Sequence, residues 1–126
     1  IRNISKSEIP YLKKNSSRIK IFWAKDKAKW DLQKFKKLIK NKTVYLTFDV
    51  DGLDSSIMPA TGTPEPGGLM WDETLDIIRI AAKNSNIVGA DINELAPIKG
   101  FNSYNFLVAK LAYKILAYSF EFKKTK

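Results

Sequence analysis

The sequence predicts an α/β fold built on a parallel sheet, and three observations carry that prediction. Segments dense in β-branched and aromatic residues alternate with segments whose apolar residues recur at helical spacing. The helical segments are long enough to serve as crossovers between parallel strands. Acidic residues gather just where two of the strands end, the place where ligands bind in an open α/β sheet.

The elements follow in order. Residues 5–14 open with Ser5 and, three positions on, Glu8, the spacing of a capping box. Pro10 keeps any helix there brief or bent. Residues 18–23 (RIKIFW) alternate basic and apolar side chains and predict a first strand. Residues 26–40 change period: Trp30, Leu32, Phe35, Leu38 and Ile39 fall on one helical face, with the lysines on the other. Residues 44–50 (VYLTFDV) predict a strand buried on both faces. Residues 55–68 hold three prolines and three glycines and read as an ordered loop. Residues 72–83 predict a helix with Leu75, Ile78, Ala81 and Ala82 inward; residues 86–92 (NIVGADI) predict a third strand, and residues 103–120 a closing helix. Trp23, Trp30 and Phe35 are expected in apolar packing, and Tyr104, Tyr113 and Tyr118 in helix packing. Three strands make a thin sheet, so the architecture reads as half of a larger one.

At 126 residues the chain has room for one domain, and 44% hydrophobic residues are enough for a core. No cysteine means no disulfide scaffold, thiolate zinc site or cysteine nucleophile, and fits a reducing, cytoplasmic compartment. No histidine removes the serine–histidine triad and every imidazole ligand. Chemistry here must run on carboxylates, lysines, hydroxyls or backbone groups. The net charge of +9 is uneven: residues 1–43 carry fourteen Lys/Arg against three Asp/Glu, residues 44–126 eight against ten. The lysines are interleaved with apolar residues and form no basic arm, so a solvated surface is favoured over a nucleic-acid partner. The first residues are not a signal peptide, and the apolar run 106–120 contains Lys110 and Lys114 and is too short for a bilayer. No membrane partner is expected.

Asp49, Asp51 and Asp54 lie in TFDVDGLD, and Glu94 in ADINELAP. Asp49 and Asp51, two apart on a strand, share a face and can reach one site. Two carboxylates so close need a cation or a proton between them, and hard oxygen ligands suit Mg²⁺ or Mn²⁺. Turn chemistry is the plainer explanation, because Asp–Gly pairs end many strands, but a turn needs one Asp and this strand end has three. An EF-hand is excluded, since, with Asp49 as position one, Gly52 stands at position four instead of six and Ala60 at position twelve. FDVDG also resembles the opening of haloacid-dehalogenase-like phosphatases, in which Asp49 would be the nucleophile. That family carries the motif on its first strand and needs a later acidic pair; here a complete βα unit precedes it and no Asp–Asp pair follows.

The longer string is more specific. TFDVDGLDSSIMPATGTPEPGGLMW, followed by VGADINELAP and AKLAYKILAY, closely resembles the C-terminal half of the ureohydrolases, the arginase–agmatinase family, and IRN…KIFWAKD resembles its agmatinase branch. Thr47 stands where the family usually has Ser, and Ser55 where it usually has Pro, a change expected to loosen the turn. The resemblance implies a three-layer α/β/α arginase-like fold, with residues 1–126 as the C-terminal part of a single ureohydrolase domain. It implies a binuclear Mn²⁺ site with a bridging hydroxide that hydrolyses a guanidino compound, agmatine to putrescine and urea in polyamine biosynthesis. Carried over by motif, Asp49 would bridge both ions, Asp51 would ligate one, and both would be catalytic with Glu94. Glu94 would pair with the substrate guanidinium. Thr61, with Thr63, sits where the family shapes the substrate pocket; Asp54 would fix the ligand loop, and Asp91 reads as a support or as the strand's polar end. The family's remaining ligands, two histidines among them, belong to earlier motifs, so the chain alone is expected to be incomplete and inactive, and the full-length form a homo-oligomer. A non-catalytic basic binding module and the phosphatase are the alternatives.

Overall fold

The computed structural model describes residues 1–123 and divides into two compact units, Ile1–Trp30 and the part from Asp31 onward. In the first unit the capping box forms as its spacing predicts. Ser5 accepts from the Ser7 amide, while the Glu8 carboxylate accepts from the Ser5 amide at 2.7 Å. The short helix α1 (Ile9–Lys14) follows with Pro10 in its first turn, where a missing N–H costs nothing.

Residues 18–23 do not form the expected strand. Arg18 lies in a turn and residues 19–23 carry no strand, although Ile1 bonds beside them, donating to the Phe22 carbonyl at 3.4 Å and accepting from the Ala24 amide at 3.0 Å. The alternation of the segment has another use: Ile19, Ile21 and Trp23 line one open cleft with Ile4, Ile9 and Leu12. Nor is residues 26–40 one helix. Ala24–Lys29 is a kinked 3₁₀ stretch that stops at Trp30, whose indole N–H donates to the Trp23 carbonyl at 2.8 Å and whose ring meets Phe22 edge-on. Trp30 therefore leaves the helical face predicted for it. Asp31 restarts the chain as helix α2 (Leu32–Ile39), its carboxylate capping the Gln33 and Lys34 amides at 2.8 and 3.2 Å.

In the second unit, strands β1 (Thr43–Asp49) and β2 (Asn86–Asn93) are parallel neighbours, joined by helix α3 (Trp71–Asn84), and helix α4 (Asn102–Glu121) closes the order. This is the expected α/β fold with a parallel sheet, with two strands among the described residues instead of three. Val44, Leu46 and Phe48 turn inward. Leu46 and Phe48 pack with Ile87 and Ile92 against Leu75, Ile78 and Ala82 of α3 and Leu111, Ile115 and Tyr118 of α4. The other face of β1 is open, so the strand is not buried on both faces as its composition predicts; Tyr45 is 61% exposed. The register slips at Val88, which lies between the residues paired with Val44 and Tyr45. Beyond the slip Gly89 lies under the Tyr45 ring, whose nearest atom would be 2.8 Å from any added Cβ.

The tyrosines divide. Tyr118 is buried and Tyr104 half-buried, as expected, but Tyr113 is exposed on the outer side of α4. A second core cluster of Val50, Leu53, Met58 and Ala60 fills the space beyond the carboxyl ends of the strands, backed by Leu95, Tyr104, Leu107 and Val108. It is the floor on which the acidic loop rests. No described helix is long and apolar enough to cross a membrane.

Candidate active site

The pairing register sets the site. Asp49, the last residue of β1, is paired with Asn93, the last of β2, so both strands end at the same level and Glu94 follows immediately. Asp49 then acts as a cap: its Oδ1 accepts from the Asp51 amide at 2.8 Å and starts the 3₁₀ turn Val50–Gly52. Asp51 therefore lies in this turn and not on the strand, so the two carboxylates do not share a strand face as their spacing predicts. Val50, between them, is fully buried and anchors the turn from below.

Each oxygen of Asp51 accepts a hydroxyl hydrogen bond, Oδ1 from Thr61 and Oδ2 from Thr63. The Thr61 hydroxyl also lies 3.0 Å from the carbonyl oxygen of Glu94, and the Ala96 amide donates to the Ala60 carbonyl at 2.9 Å. The TGTP turn is thus tied to both carboxylate segments. Glu94 has φ +67°, the left-handed region that a residue with a side chain seldom occupies. Its exposed carboxylate has no partner among the described residues.

Asp54 has a different task. Its Oδ1 accepts from the Ser56 amide and hydroxyl at 2.9 and 2.6 Å, and its Oδ2 from the Gly67 and Gly68 amides at 2.7 and 3.1 Å. These bonds, the Ser56 hydroxyl first, hold its carboxyl down at about 2. Asp54 fixes the loop, as the motif implies. The Ser55 amide donates to the Glu65 carbonyl at 3.2 Å, a bond that proline could not make, so this position tightens the loop instead of loosening it.

On the open sheet face, the Thr47 hydroxyl donates to Asp91 Oδ1 at 2.5 Å, and Asn93 Nδ2 donates to Asp91 Oδ1 at 2.5 Å and to the Thr47 hydroxyl at 3.2 Å. The Thr47 bond is the main reason the Asp91 carboxyl lies below its ordinary value, with Tyr45 and Asn93 adding to it. The same contact raises the Tyr45 phenol. Asp91 is a cross-strand support and not merely a strand end. The Tyr45–Asp91 and Asn93–Thr47 contacts escape a reading of the sequence, because they lie across a register that no local signal encodes.

Asp49 retains an oxygen without a described partner, and each Asp51 oxygen keeps a second lone pair. Such hard donors fit a divalent cation in kind. In number they fall short, since no group of three or more acidic, histidine or cysteine residues among the described residues could hold a metal. The site is a partial donor set on an open surface. A groove of about 410 Å³ lies away from it, along β2 and α4.

A model of the arginase family matches residues 1–118. The chain is similar to the N(1)-aminopropylagmatine ureohydrolase of Synechocystis sp., 38% identical over 129 residues covering 100% of this chain and 41% of that protein. Its fold is similar to that of the agmatine ureohydrolase of Thermoplasma volcanium, with a TM-score of 0.79 and 28% identity over 97% of this chain and 41% of the other. The arginase of Medicago truncatula aligns with a TM-score of 0.71 and 27% identity over 94% of this chain and 38% of that one. The chain spans about two-fifths of the length of these relatives. These likenesses do not favour the phosphatase or the basic binding module.

Proposed function

The chain belongs to the arginase family, and from that premise we propose that it forms the C-terminal part of a single hydrolase domain acting on a guanidino compound, agmatine foremost. Water adds at the guanidinium carbon and the bond to the alkylamine breaks, giving urea and putrescine. The names of relatives matching 38% and 52% of aligned residues, an aminopropylagmatine ureohydrolase and an agmatinase of Blochmanniella floridana, support that substrate class. A binuclear Mn²⁺ centre in the complete protein would supply Lewis acidity and a water acidified toward neutral pH.

The chain's own residues have distinct tasks in this reading. Asp49 and Asp51 would be the residues of this chain that help to hold the cations. Glu94 receives the guanidinium, whose planar fork a carboxylate matches with two parallel hydrogen bonds. Thr61 serves the substrate side from beneath, where it is 9% exposed. The two carboxylates alone leave most of a coordination sphere to be filled, so the 126-residue chain binds Mn²⁺ weakly and turns over little by itself. The complete protein works as a cytoplasmic homo-oligomer, an extension that rests on the family resemblance alone.

The observation behind the proposal is one of placement: Asp49 ends β1, Asp51 stands in the turn that follows, and Glu94 directly follows β2, all at the carboxyl ends of two adjacent parallel strands. The test is Mn²⁺-dependent urea release from agmatine, comparing the product of the complete reading frame with the 126-residue chain. Urea from the longer product and none from the shorter is the expected result. Asp49→Asn in the longer product should lower the rate by at least about a hundredfold, the scale on which single electrostatic groups act. No urea from either product, with arginine and guanidinobutyrate also inert, overturns the reading.

A further inference from the structure

Ile87 and Ile92 both pack against the core formed with α3 and α4, yet they stand five positions apart, an odd spacing that would turn them to opposite faces of a regular strand. One extra residue between them resolves the conflict. Val44 pairs with Ile87 and Phe48 with Ile92, so three residues of β1 face four of β2, and one of Val88, Gly89, Ala90 and Asp91 must go unpaired. The structure leaves out Val88, which is 61% exposed. We propose that Tyr45 is a positioning residue that pins the extra residue at Val88, by lying across Gly89 and bonding Asp91, and so keeps the strand pairs next to the candidate site regular.

The choice among the four comes down to what stands opposite Tyr45. If Gly89, Ala90 or Asp91 were the residue left out, Val88 would in each case take that place, and only the observed arrangement puts Gly89 there. The Tyr45 ring then lies down on bare backbone, its nearest atoms 2.8 and 3.0 Å from where a Cβ would be. From that position its hydroxyl reaches the Asp91 carboxylate, two residues further along β2. A valine opposite would prop the ring away from the sheet and break this bond. Hydrogen bonds to a charged acceptor are about twice as strong as neutral ones. The Thr47 bond to Asp91 does not decide the matter, because Thr47 also meets Asp91 when Gly89 or Ala90 is left out.

What the pin protects is the carboxyl end of the sheet. With Val88 left out, the pairs Thr47–Asp91, Phe48–Ile92 and Asp49–Asn93 follow as an unbroken run, and Glu94 comes next. With Asp91 left out, the irregularity would fall one pair short of Asp49 and would bend β2 just before Glu94. The value of that placement for turnover rests on the roles proposed above for Asp49 and Glu94. The pairing itself does not rest on them, so the two can fail separately.

Nuclear magnetic resonance of the isotope-labelled 126-residue chain at low salt reads the pairing directly, as cross-strand Overhauser contacts from residue 45 to residue 89 or to residue 88. The wild type should show the contact to residue 89. Tyr45→Phe, which removes the hydroxyl of an exposed side chain, and Gly89→Ala, which lifts the ring, should each lower the ratio of the 89 contact to the 88 contact roughly fivefold, the weight of one hydrogen bond. Asp91→Asn keeps an acceptor for the phenol and should keep the wild-type ratio. Unchanged amide signals from residues 75–82 of α3 show that each variant is folded. A wild type that contacts residue 88 instead, or a wild-type ratio in Tyr45→Phe or in Gly89→Ala, overturns the pin. An equal fall in Asp91→Asn overturns it as well. None of these results bears on the hydrolase reading, which urea release decides.

Discussion

Asp54 accepts four hydrogen bonds, two from Ser56 beside it and two from Gly67 and Gly68 that close the loop carrying Thr61 and Thr63. They stabilise its charged form, so its folded value of about 2 lies below the ordinary 3.8. A group depressed on folding contributes stability that is present above its unfolded value and lost as pH falls through the folded one. The window here is from about pH 4 down to about pH 2. Asp54→Asn keeps an oxygen acceptor and has no proton to gain. Urea unfolding followed by tryptophan fluorescence should therefore give a shallower loss of stability for Asp54→Asn than for the wild type across that window. Parallel curves would show that the four bonds do not favour the charged form. The family motif implied this role, while the Gly67 and Gly68 partners, thirteen and fourteen residues on, were not legible locally. The partners of Asp91 were not readable: Thr47 and Tyr45 reach it across the sheet, more than forty positions away in the chain.

Among the elements, legibility followed the same line between local and distant causes. Helices α3 and α4 and strands β1 and β2 appear within a residue or two of their expected ends, since each has its own periodicity and its own breakers. RIKIFW has the alternation of a strand and is not one, because alternation states only that one side is buried, and a strand also needs an edge to pair with. The apolar period running through Trp30 hid the break that the Asp31 cap makes, because a helical face of apolar residues does not show where the helix restarts. The loop between β1 and α3 has a close approach that composition alone does not show. The isolated parallel bridge of Leu53 with Leu69 brings Gly68 against the Leu53 backbone, where an added Cβ would sit 2.4 Å from the Leu53 carbonyl carbon. Backbone cannot move aside as a flexible side chain can. Gly68→Ala should destabilise by roughly 1–3 kcal/mol, the usual cost of overpacking, seen as a lower urea midpoint at unchanged slope. A midpoint within error of the wild type would mean that the bridge opens freely.

At the scale of the whole molecule, what is left uncovered matters as much as what is packed. The outer edges of β1 and β2 are unpaired among the described residues. The outward side of α4 carries Phe106, Tyr113, Leu116 and Phe120, spaced seven, three and four residues apart, and each more than half exposed. Leu116 and Phe120 border the groove along β2, so open edge and apolar stripe form one surface. Surfaces of this kind bring chains together. The net charge of +9 opposes a second copy, through a repulsion that salt screens within about 10 Å at 0.1 M. Association of the 126-residue chain should therefore strengthen as salt rises, the reverse of an assembly held by ion pairs. Light scattering coupled to size-exclusion chromatography across salt and protein concentration measures this. Phe120→Lys, which adds a charge and removes the most exposed ring of the groove, should return the chain toward its monomer mass at every salt concentration. A wild-type mass that falls with salt would place the contact on charged groups, and an unchanged mass for Phe120→Lys would place it elsewhere than α4.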